Sequence, residues 1–348
     1  MNQSEKEKIY DTIRRARALN KALKPSMASS ASKAQYAQEF KRLVAKCSPK
    51  TPAGMFEVMR STKSKRTWYL RRAAARHVIQ EGLLHTLREQ DRHQAAGDMT
   101  SWEMSVKKID FLIGLHATLE RHDNKCPITS TAKKRSKRQM LHKLPDDFRE
   151  QMYSAMSNSK YRLAVLVASL SGARPQELEY GVKMTERDGA LTLHIIGAKV
   201  VQGGVQGQAW REIEYSVTDD NPLIAAALAE LRSHGQNEIL VSVSSKDAYT
   251  AALRRVGRVL WPRMKSETTG YCLRHMFASD LKAAGLSIEA IAMALGHSVT
   301  RTQSLYGQAQ ISTRGSGMLN PTAVRAAAPV RQNTTAHPNV KPSRHDRR

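Results

Sequence analysis

Apolar residues in the first third of the chain recur at helical spacing. The stretch KRTWYLRRAAARHVIQEGLLHTLREQ (residues 65–90) predicts a long basic helix, and SWEMSVKKIDFLIGLHATLERH (101–122) predicts another. No part of this region alternates as a strand would, so we expect a helical domain over residues 1–121. The buried stripe of an earlier helix is formed by Tyr36, Phe40, Leu43 and Val44, and Trp68 and Trp102 are expected in the core.

The hydrophobic period changes to two in the second half. Leu191, Leu193 and Ile195 alternate before the glycine-rich connection GGVQG, and Ile213, Tyr215 and Val217 alternate after it. Residues 190–217 therefore predict a β-hairpin with a long loop. Helical spacing returns from about residue 222, most clearly in NPLIAAALAELRSHG. The predicted fold class is mainly α with a small β-sheet or hairpin, in two domains.

Two segments lack these patterns. Residues 122–145 contain few apolar side chains and end in a proline, which predicts an interdomain linker, and residues 316–348 predict a disordered basic tail. A second domain is then expected over residues 146–315. The linker includes the run KKRSKR, which is either a solvated segment or a contact to a DNA backbone. Its basic residues are Lys133, Lys134, Arg135, Lys137 and Arg138.

The charge points to a polyanionic partner. The chain has 56 Lys and Arg against 31 Asp and Glu, a formal net charge of +25. Neutralising phosphates releases condensed counterions, so double-stranded DNA is the leading partner. An anionic membrane is the competitor, but LAVLVASL (163–170) is too short to span a bilayer. The charged N-terminal stretch lacks the apolar region of a secretory signal, so we expect a cytoplasmic protein, nucleoid-associated if bacterial.

The three cysteines indicate neither a disulfide framework nor a zinc site. Cys47, Cys126 and Cys272 lie far apart, and no C-x-x-C pair occurs. We expect reduced thiols, and no metal.

Residues 268–307 combine several groups that could act on phosphate. An apolar stripe on one predicted helix leaves Tyr271 and Arg274 together on another face. Gly296 ends the following helix, which places His297 at a corner between helices and Tyr306 on the last helix.

Two further candidates lie earlier in the chain. In SGARPQEL, Gly172 ends one helix and Pro175 opens the next, which predicts an exposed corner for Arg174 beside the acceptor Glu177. Lys199 stands at the end of the first hairpin strand, in IIGAKV. Taken singly, each candidate has an ordinary explanation: a packing tyrosine, a loop histidine, a surface ion pair or a solvated lysine.

A tyrosine that attacks a phosphodiester needs this set of groups. Its phenol must lose a proton, guanidinium forks suit the negative charge of the pentavalent transition state, and the departing 5′ oxygen needs a proton donor. This chemistry requires no cofactor.

The segments SGARPQELE, GAK, LRHMFASDLKAAG and LGHSVTRTQSLYG, in this order, resemble the catalytic domain of the tyrosine recombinase (phage integrase) family. The resemblance covers roughly residues 150–310, and the N-terminal region is similar to the family's core-binding domain only in position, length and character. It implies a helical core-binding domain followed by an α+β catalytic domain. The implied residues are Arg174 and Arg274 as the phosphate clamp, His297 as the second histidine, Lys199 as general acid, Tyr306 as nucleophile and Glu177 as support.

One position departs from the family pattern. The usual His-x-x-Arg reads YCLR here, with Tyr271 in the histidine position. A phenol can donate a hydrogen bond to phosphate, but it carries no positive charge near neutral pH. His275 lies about a hundred degrees further around the helix, so we do not assign it to this position.

The resemblance implies a site-specific recombinase or integrase of a mobile element that cuts and rejoins DNA through a 3′-phosphotyrosyl link at Tyr306. Four protomers would act on two sites, joined by exchanged C-terminal segments. Two alternatives remain: a DNA-binding or architectural protein in which cleavage is weakened, and a topoisomerase of the type IB class. The separate helical domain and the short spacing from His297 to Tyr306 favour recombination.

Overall fold

The computed structural model divides the chain into two compact units, Met1–Lys133 and Lys134–Arg348. Within the described part of the chain, no helix combines the length and the apolar composition needed to cross a bilayer. The structure describes residues 3–24, 26, 28–122, 126–129, 136–198, 200, 207–312 and 317–332.

The first unit is helical in its described residues. Trp68 and Trp102 are buried in its core, as predicted from the sequence. Side-chain oxygens of Ser29, Thr51 and Ser64 accept backbone N–H groups in the first turns of three of the helices. These helices are α1 (Gln3–Ala22), α2 (Ser30–Lys46), α3 (Pro52–Arg60), α4 (Lys65–Ala95) and α5 (Met99–Arg121).

The second unit combines helices with one sheet. A 3₁₀ turn (Leu141–Lys143) follows the first of its helices, and a 3₁₀ helix (Thr300–Leu305) precedes the last. The helices are α6 (Lys137–Met140), α7 (Phe148–Ala155), α8 (Arg162–Ser171), α9 (Pro175–Tyr180), α10 (Pro222–Ser233), α11 (Lys246–Leu260), α12 (Gly270–Ala283), α13 (Ile288–Ala294) and α14 (Ala309–Ser312). The strands are β1 (Val182–Arg187), β2 (Ala190–Ile196), β3 (Trp210–Ser216), β4 (Glu238–Val241) and β5 (Ala323–Ala326).

The strands form one antiparallel sheet in the order β4-β1-β2-β3-β5. The predicted hairpin is present as β2 and β3, with Leu193 opposite Ile213. The sequence analysis misses the hairpin of β1 and β2, although Asp188 and Gly189, both at positive φ, form the Asp-Gly turn typical of a tight hairpin. The fold class is therefore mainly α with a small antiparallel sheet.

Helix α8 forms the centre of the second core. Residues 164–171 are buried all round, as an apolar helix without a polar face requires. It packs against α12, whose Leu273 and Phe277 are also fully buried. Because both helices are fixed in the core, the residues at the end of α8 and on the first half of α12 have defined positions.

Two expected segments differ from the structure. The predicted linker contributes Met140, Leu141 and Leu144 to the second core, where all three side chains are buried. The first half of the predicted tail is ordered as well: β5 pairs with β3, and Leu319 is fully buried. Lys133, Lys134, Arg135 and residues 333–348 lie outside the described residues.

Candidate active site

Arg174 sits between the end of α8 and the start of α9. The chain turns at Gly172, whose φ of 59° is left-handed and whose position leaves no room for a Cβ beside the Phe277 ring. Pro175 then opens α9. The sequence predicts an exposed corner, but Arg174 is only 8% exposed. It is buried because its guanidinium folds back onto Glu177.

Glu177 is a fully buried carboxylate bound by two arginines. It accepts the backbone N–H of Arg174 at 2.8 Å, the guanidinium of the same residue, and Nη2 of Arg211 at 2.9 Å. Burial alone would raise the pKa of Glu177, but the charges of Arg211, Arg174 and Arg274 outweigh it and hold the pKa well below its usual range. The carboxylate is therefore ionised and neutralises part of the charge around it.

Arg211, on β3, is a member of the site that the sequence analysis missed. Its side chain is 1% exposed, and Nε donates to the Ala294 carbonyl at 2.7 Å while Nη2 binds Glu177. It therefore joins β3 to the C-terminal end of α13 and to α9. A signal was present: Arg211 alternates in phase with the buried Ile213 and Tyr215, which places its charge on the core face of the strand.

Arg274 projects from α12 and is fully buried. It donates to the carbonyl of Gly172 at 2.8 Å and to the carbonyl of Leu295, which also accepts from Arg174 at 3.4 Å. Burial and the nearby charge of Arg174 lower the pKa of Arg274 to about 9, with Glu177 and Tyr306 opposing the shift. The guanidinium is therefore still charged at neutral pH.

His297 follows α13 at the predicted corner, after Gly296 at a φ of 64°. Its Nε2 lies 3.1 Å from Nη2 of Arg274. A guanidinium can only donate, so Nε2 accepts and the ring proton is on Nδ1, a buried atom without a hydrogen-bond partner. Burial, followed by the charges of Arg274, Arg174 and Arg211, lowers the pKa of His297 to about 2. The imidazole is therefore neutral.

Tyr306 lies just beyond the 3₁₀ helix, in extended backbone (φ −111°, ψ 146°). The sequence predicts it on a helix, and that prediction is wrong because the helical run ends at Leu305. Its ring centroid is 4.8 Å from Cζ of Arg274 and 5.3 Å from the ring of His297. The phenol is thus next to Arg274 and His297, two of the residues with which the resemblance groups it.

His275 also lies against the Tyr306 ring, with ring centroids 5.0 Å apart. Its Nδ1 accepts the backbone N–H of Gly307 at 3.3 Å. Burial and the charge of Arg274 lower the pKa of His275 to about 4. His275 does project from a different side of α12 than Arg274, as expected from the helix geometry. The segment around Tyr306, however, packs against the side of the helix on which His275 lies. A prediction from helix angle alone could not include this packing.

Of the remaining predicted site residues, the structure describes Tyr271, Lys137 and Arg138. Tyr271 is the second residue of α12 and is 40% exposed. Lys137 donates to the carbonyl of Glu267, and Arg138 donates to that of Ser304 at 3.2 Å, so both head groups are bound to protein oxygens. Lys199 lies outside the described residues. Contact of Lys137 and Arg138 with DNA therefore stays a prediction.

The site thus collects Arg174, Arg274, His297 and Tyr306 from four separate segments of the chain. Hydrogen bonds to the Leu295 carbonyl bring the two guanidiniums together, and Arg274 contacts both the imidazole and the phenol. Buried donors beside a phenol can hold an oxyanion within reach of the phenolic oxygen.

Comparison with known proteins adds the following. No family model and no curated protein matches the chain. Among solved structures, it is similar to XerA recombinase, with 16% identity and a TM-score of 0.34 over 66% of this chain and 84% of that one. It is also similar to XerH site-specific recombinase bound to its difH substrate before cleavage, with 16% identity and a TM-score of 0.35 over 85% of this chain and 91% of that one.

Proposed function

We propose that the chain is a tyrosine-type site-specific DNA recombinase that cuts and rejoins DNA through Tyr306. The observation that carries the proposal is the contact of Arg274 with both His297 and the Tyr306 ring, next to Arg174. A half-buried tyrosine that served only for packing would have no need of two guanidiniums and a neutral imidazole around it.

The phosphate would be bound by donors that have no partner within the protein. Nε of Arg274 and Nδ1 of His297 are buried and make no hydrogen bond. Buried donors without acceptors are costly, so a ligand that supplies oxygen acceptors is favoured. Two arginines give this pocket the charge to accept a phosphodiester, which is permanently anionic.

In the proposed cleavage, the phenol of Tyr306 would release its proton to water and its oxygen would attack phosphorus. The new Tyr306–phosphorus bond replaces the bond to the 5′ oxygen, which leaves with a proton and becomes a 5′-hydroxyl. His297 is neutral and offers Nδ1–H as a hydrogen-bond donor to the transition state. Proton donation to the leaving oxygen is assigned to Lys199 by resemblance. The phosphotyrosyl bond retains the energy of the original bond, so a 5′-hydroxyl from another duplex can reverse the step without ATP.

The wider assembly is part of the same proposal. A formal charge of +25 suits a protein that encloses duplex DNA. Recombination of two sites requires four cleavages, which a homotetramer with one Tyr306 per protomer would supply.

A second candidate is a DNA-binding protein with weakened cleavage. Tyr271 favours it, because a phenol in place of the family's histidine adds no positive charge near neutral pH. In that case the pocket would bind the backbone without turnover.

Covalent capture tests the two candidates without knowledge of the target sequence. The full chain is incubated with a library of nicked duplexes of random sequence, and DNA that remains attached to protein in denaturant is recovered and sequenced. We expect recovered DNA to be linked to Tyr306 by mass spectrometry and to disappear in Tyr306→Phe. The matched control is Tyr180→Phe, which alters a tyrosine that is half exposed and outside the pocket. Recovery that is equal with Tyr306→Phe would contradict the proposal.

The recovered sequence then separates recombination from strand passage. Two differently labelled duplexes that carry it should yield joined products if the chain is a recombinase. Relaxation of a supercoiled circle without joined products would indicate a topoisomerase.

A further inference from the structure

Lys282 lies on α12 but outside the pocket described above. We infer that Lys282 is a positioning residue that fixes the backbone of the segment carrying Tyr306, so that the phenol and Arg274 are held on one helix. This inference rests on the proposed function.

The ammonium group of Lys282 binds three backbone carbonyls around the nucleophile. Nζ lies 2.5 Å from the carbonyl oxygen of Tyr306 and 3.4 Å from those of Gln303 and Gly307. A lysine ammonium has three N–H donors and no acceptor, so its capacity matches these three carbonyls. One of them belongs to Tyr306 itself, so this contact restrains the position of that residue directly.

Two of the three carbonyls, those of Tyr306 and Gly307, lie just after the end of the 3₁₀ helix Thr300–Leu305, where the helical hydrogen-bond pattern no longer supplies a partner. The third, that of Gln303, already accepts the backbone N–H of Tyr306 at 2.9 Å, and Lys282 adds a second donor to it. A cation at the C-terminal end of a helix is also favoured electrostatically. Lys282 therefore supplies both hydrogen bonds and charge at the point where the chain leaves the helix and enters extended backbone at Tyr306.

Other contacts hold the following residues against the same helix. The Ser279 hydroxyl accepts the backbone N–H of Gln308 at 2.9 Å, and His275 accepts that of Gly307. Gly307 has a φ of 56°, and a Cβ there would lie 2.5 Å from the backbone nitrogen of Ser279. The chain thus runs directly against α12, with Lys282 binding the carbonyls and His275 and Ser279 binding the N–H groups.

Helix α12 carries both the arginine proposed to bind phosphate and the lysine that holds the Tyr306 segment. Arg274 and Lys282 are separated by about two helical turns on one rigid element. The proposed phosphate clamp and the nucleophile therefore have a common support, and a shift of the Tyr306 segment along α12 would change the distance from the phenol to phosphorus. A displacement of about 1 Å in such a geometry costs on the order of a hundredfold in rate.

The variant Lys282→Met tests the inference, because it keeps the length of the side chain and removes the three donors. We expect adduct formation at saturating DNA to fall about a hundredfold while DNA affinity stays within about threefold. Lys282→Arg, which retains a cation and donors, should recover part of the rate. The control is Lys183→Met, which removes an exposed lysine paired with Glu238 on the far edge of the sheet, and it should leave the rate unchanged.

Amide hydrogen exchange gives a second readout that does not depend on cleavage. In Lys282→Met, the peptide containing residues 303–308 should exchange faster, whereas peptides from the first half of α12 should be unchanged. Unchanged exchange, or an unchanged cleavage rate in Lys282→Met, would overturn the inference. So would uniform loss of protection across the second unit, which would mean that Lys282 supports the whole fold. If the wild-type chain forms no adduct but exchange changes as expected, the proposed function fails and the backbone restraint stands.

Discussion

His297 and His275 flank Tyr306 as neutral imidazoles. Burial and the charge of Arg274 lower the pKa of His297 to about 2 and that of His275 to about 4. Neither ring changes its charge between about pH 5 and pH 8, the range in which an ordinary histidine titrates. The positive charge available to a phosphate therefore comes from the arginines.

These lowered pKa values predict how stability depends on pH. Unfolded histidines bind protons below a pKa of 6.5, whereas His297 in the folded chain does not, so stability is lost as the pH falls below about 6.5. The slope approaches about 1.4 kcal/mol per pH unit for each such histidine. Replacing His297 by Gln should make the slope shallower between about pH 6.5 and pH 5, as measured by urea unfolding. Identical slopes in the wild type and His297→Gln would contradict this prediction.

Arg211 should be essential to stability although it lies away from the Tyr306 ring. In Arg211→Met, the buried carboxylate of Glu177 loses one of its partners, which costs about 3–5 kcal/mol for a buried ion pair. Adding Glu177→Gln should restore part of the loss, since the unpaired charge is then absent. Arg232→Met breaks an exposed pair with Glu186 and should cost less than about 1 kcal/mol in the same urea experiment. An equal loss of unfolding free energy in Arg211→Met and Arg232→Met would show that the buried ion pair contributes no more to stability than the exposed one.

Tyr271 can be tested by restoring the family's residue. Tyr271→His introduces a group that can carry a proton near neutral pH. If the proposed chemistry is limited at this position, adduct formation should rise by about tenfold or more, within the range of general acid–base effects. An unchanged rate with Tyr271→His and with Tyr271→Phe would show that this residue takes no part in the proton transfers.

At the scale of elements, the spacing of apolar residues predicts those helices and strands whose conformation is determined by their own local sequence. The hairpin of β2 and β3 has a strict alternation, α8 is apolar on all sides and α12 has a clear apolar stripe, so these elements follow from the sequence. Strand β4 (EILV) is too short for its period to be read. Strand β5 (AVRA) exists because β3 offers an edge with which it can pair, and that partner is distant in sequence.

The sequence predicts which residues form the candidate site better than it predicts their burial and backbone conformation. The ordered motifs indicated Arg174, Arg274, His297 and Tyr306, which the fold brings together. The burial of Arg174 and the extended backbone of Tyr306 depend on contacts with distant segments. Arg211 was overlooked because an arginine in a strand is ordinarily taken as solvent-facing.

Strand β5 and the residues before it should contribute measurably to stability. Leu319 is fully buried, so Leu319→Ala should cost about 2–5 kcal/mol, as for other buried leucines. Its neighbour Met318 is 38% exposed, and Met318→Ala should cost much less in the same thermal or urea unfolding measurement. If residues 317–332 formed a disordered tail, the two substitutions would have equally small effects.

At the scale of the whole molecule, we expect that DNA affinity and DNA cleavage depend on different residues, so that one can be lost without the other. With a net charge of +25, affinity for duplex DNA should fall steeply as salt increases, because each neutralised phosphate releases counterions. Arg174→Ala removes at most one phosphate contact, so the slope of log affinity against log salt should change by about one. Adduct formation should be abolished at the same time. A large loss of binding in Arg174→Ala would instead mean that this arginine positions the DNA.

The aromatic face of Tyr306 resting on the Arg274 guanidinium has one more consequence. In the proposed recombinase, the guanidinium that would bind phosphate is covered, before DNA binds, by the ring of the residue that would attack that phosphate. Chloride or inorganic phosphate would have to compete with this ring contact without gaining the many backbone contacts of a duplex. A duplex would therefore be favoured over a small anion as the ligand of Arg274.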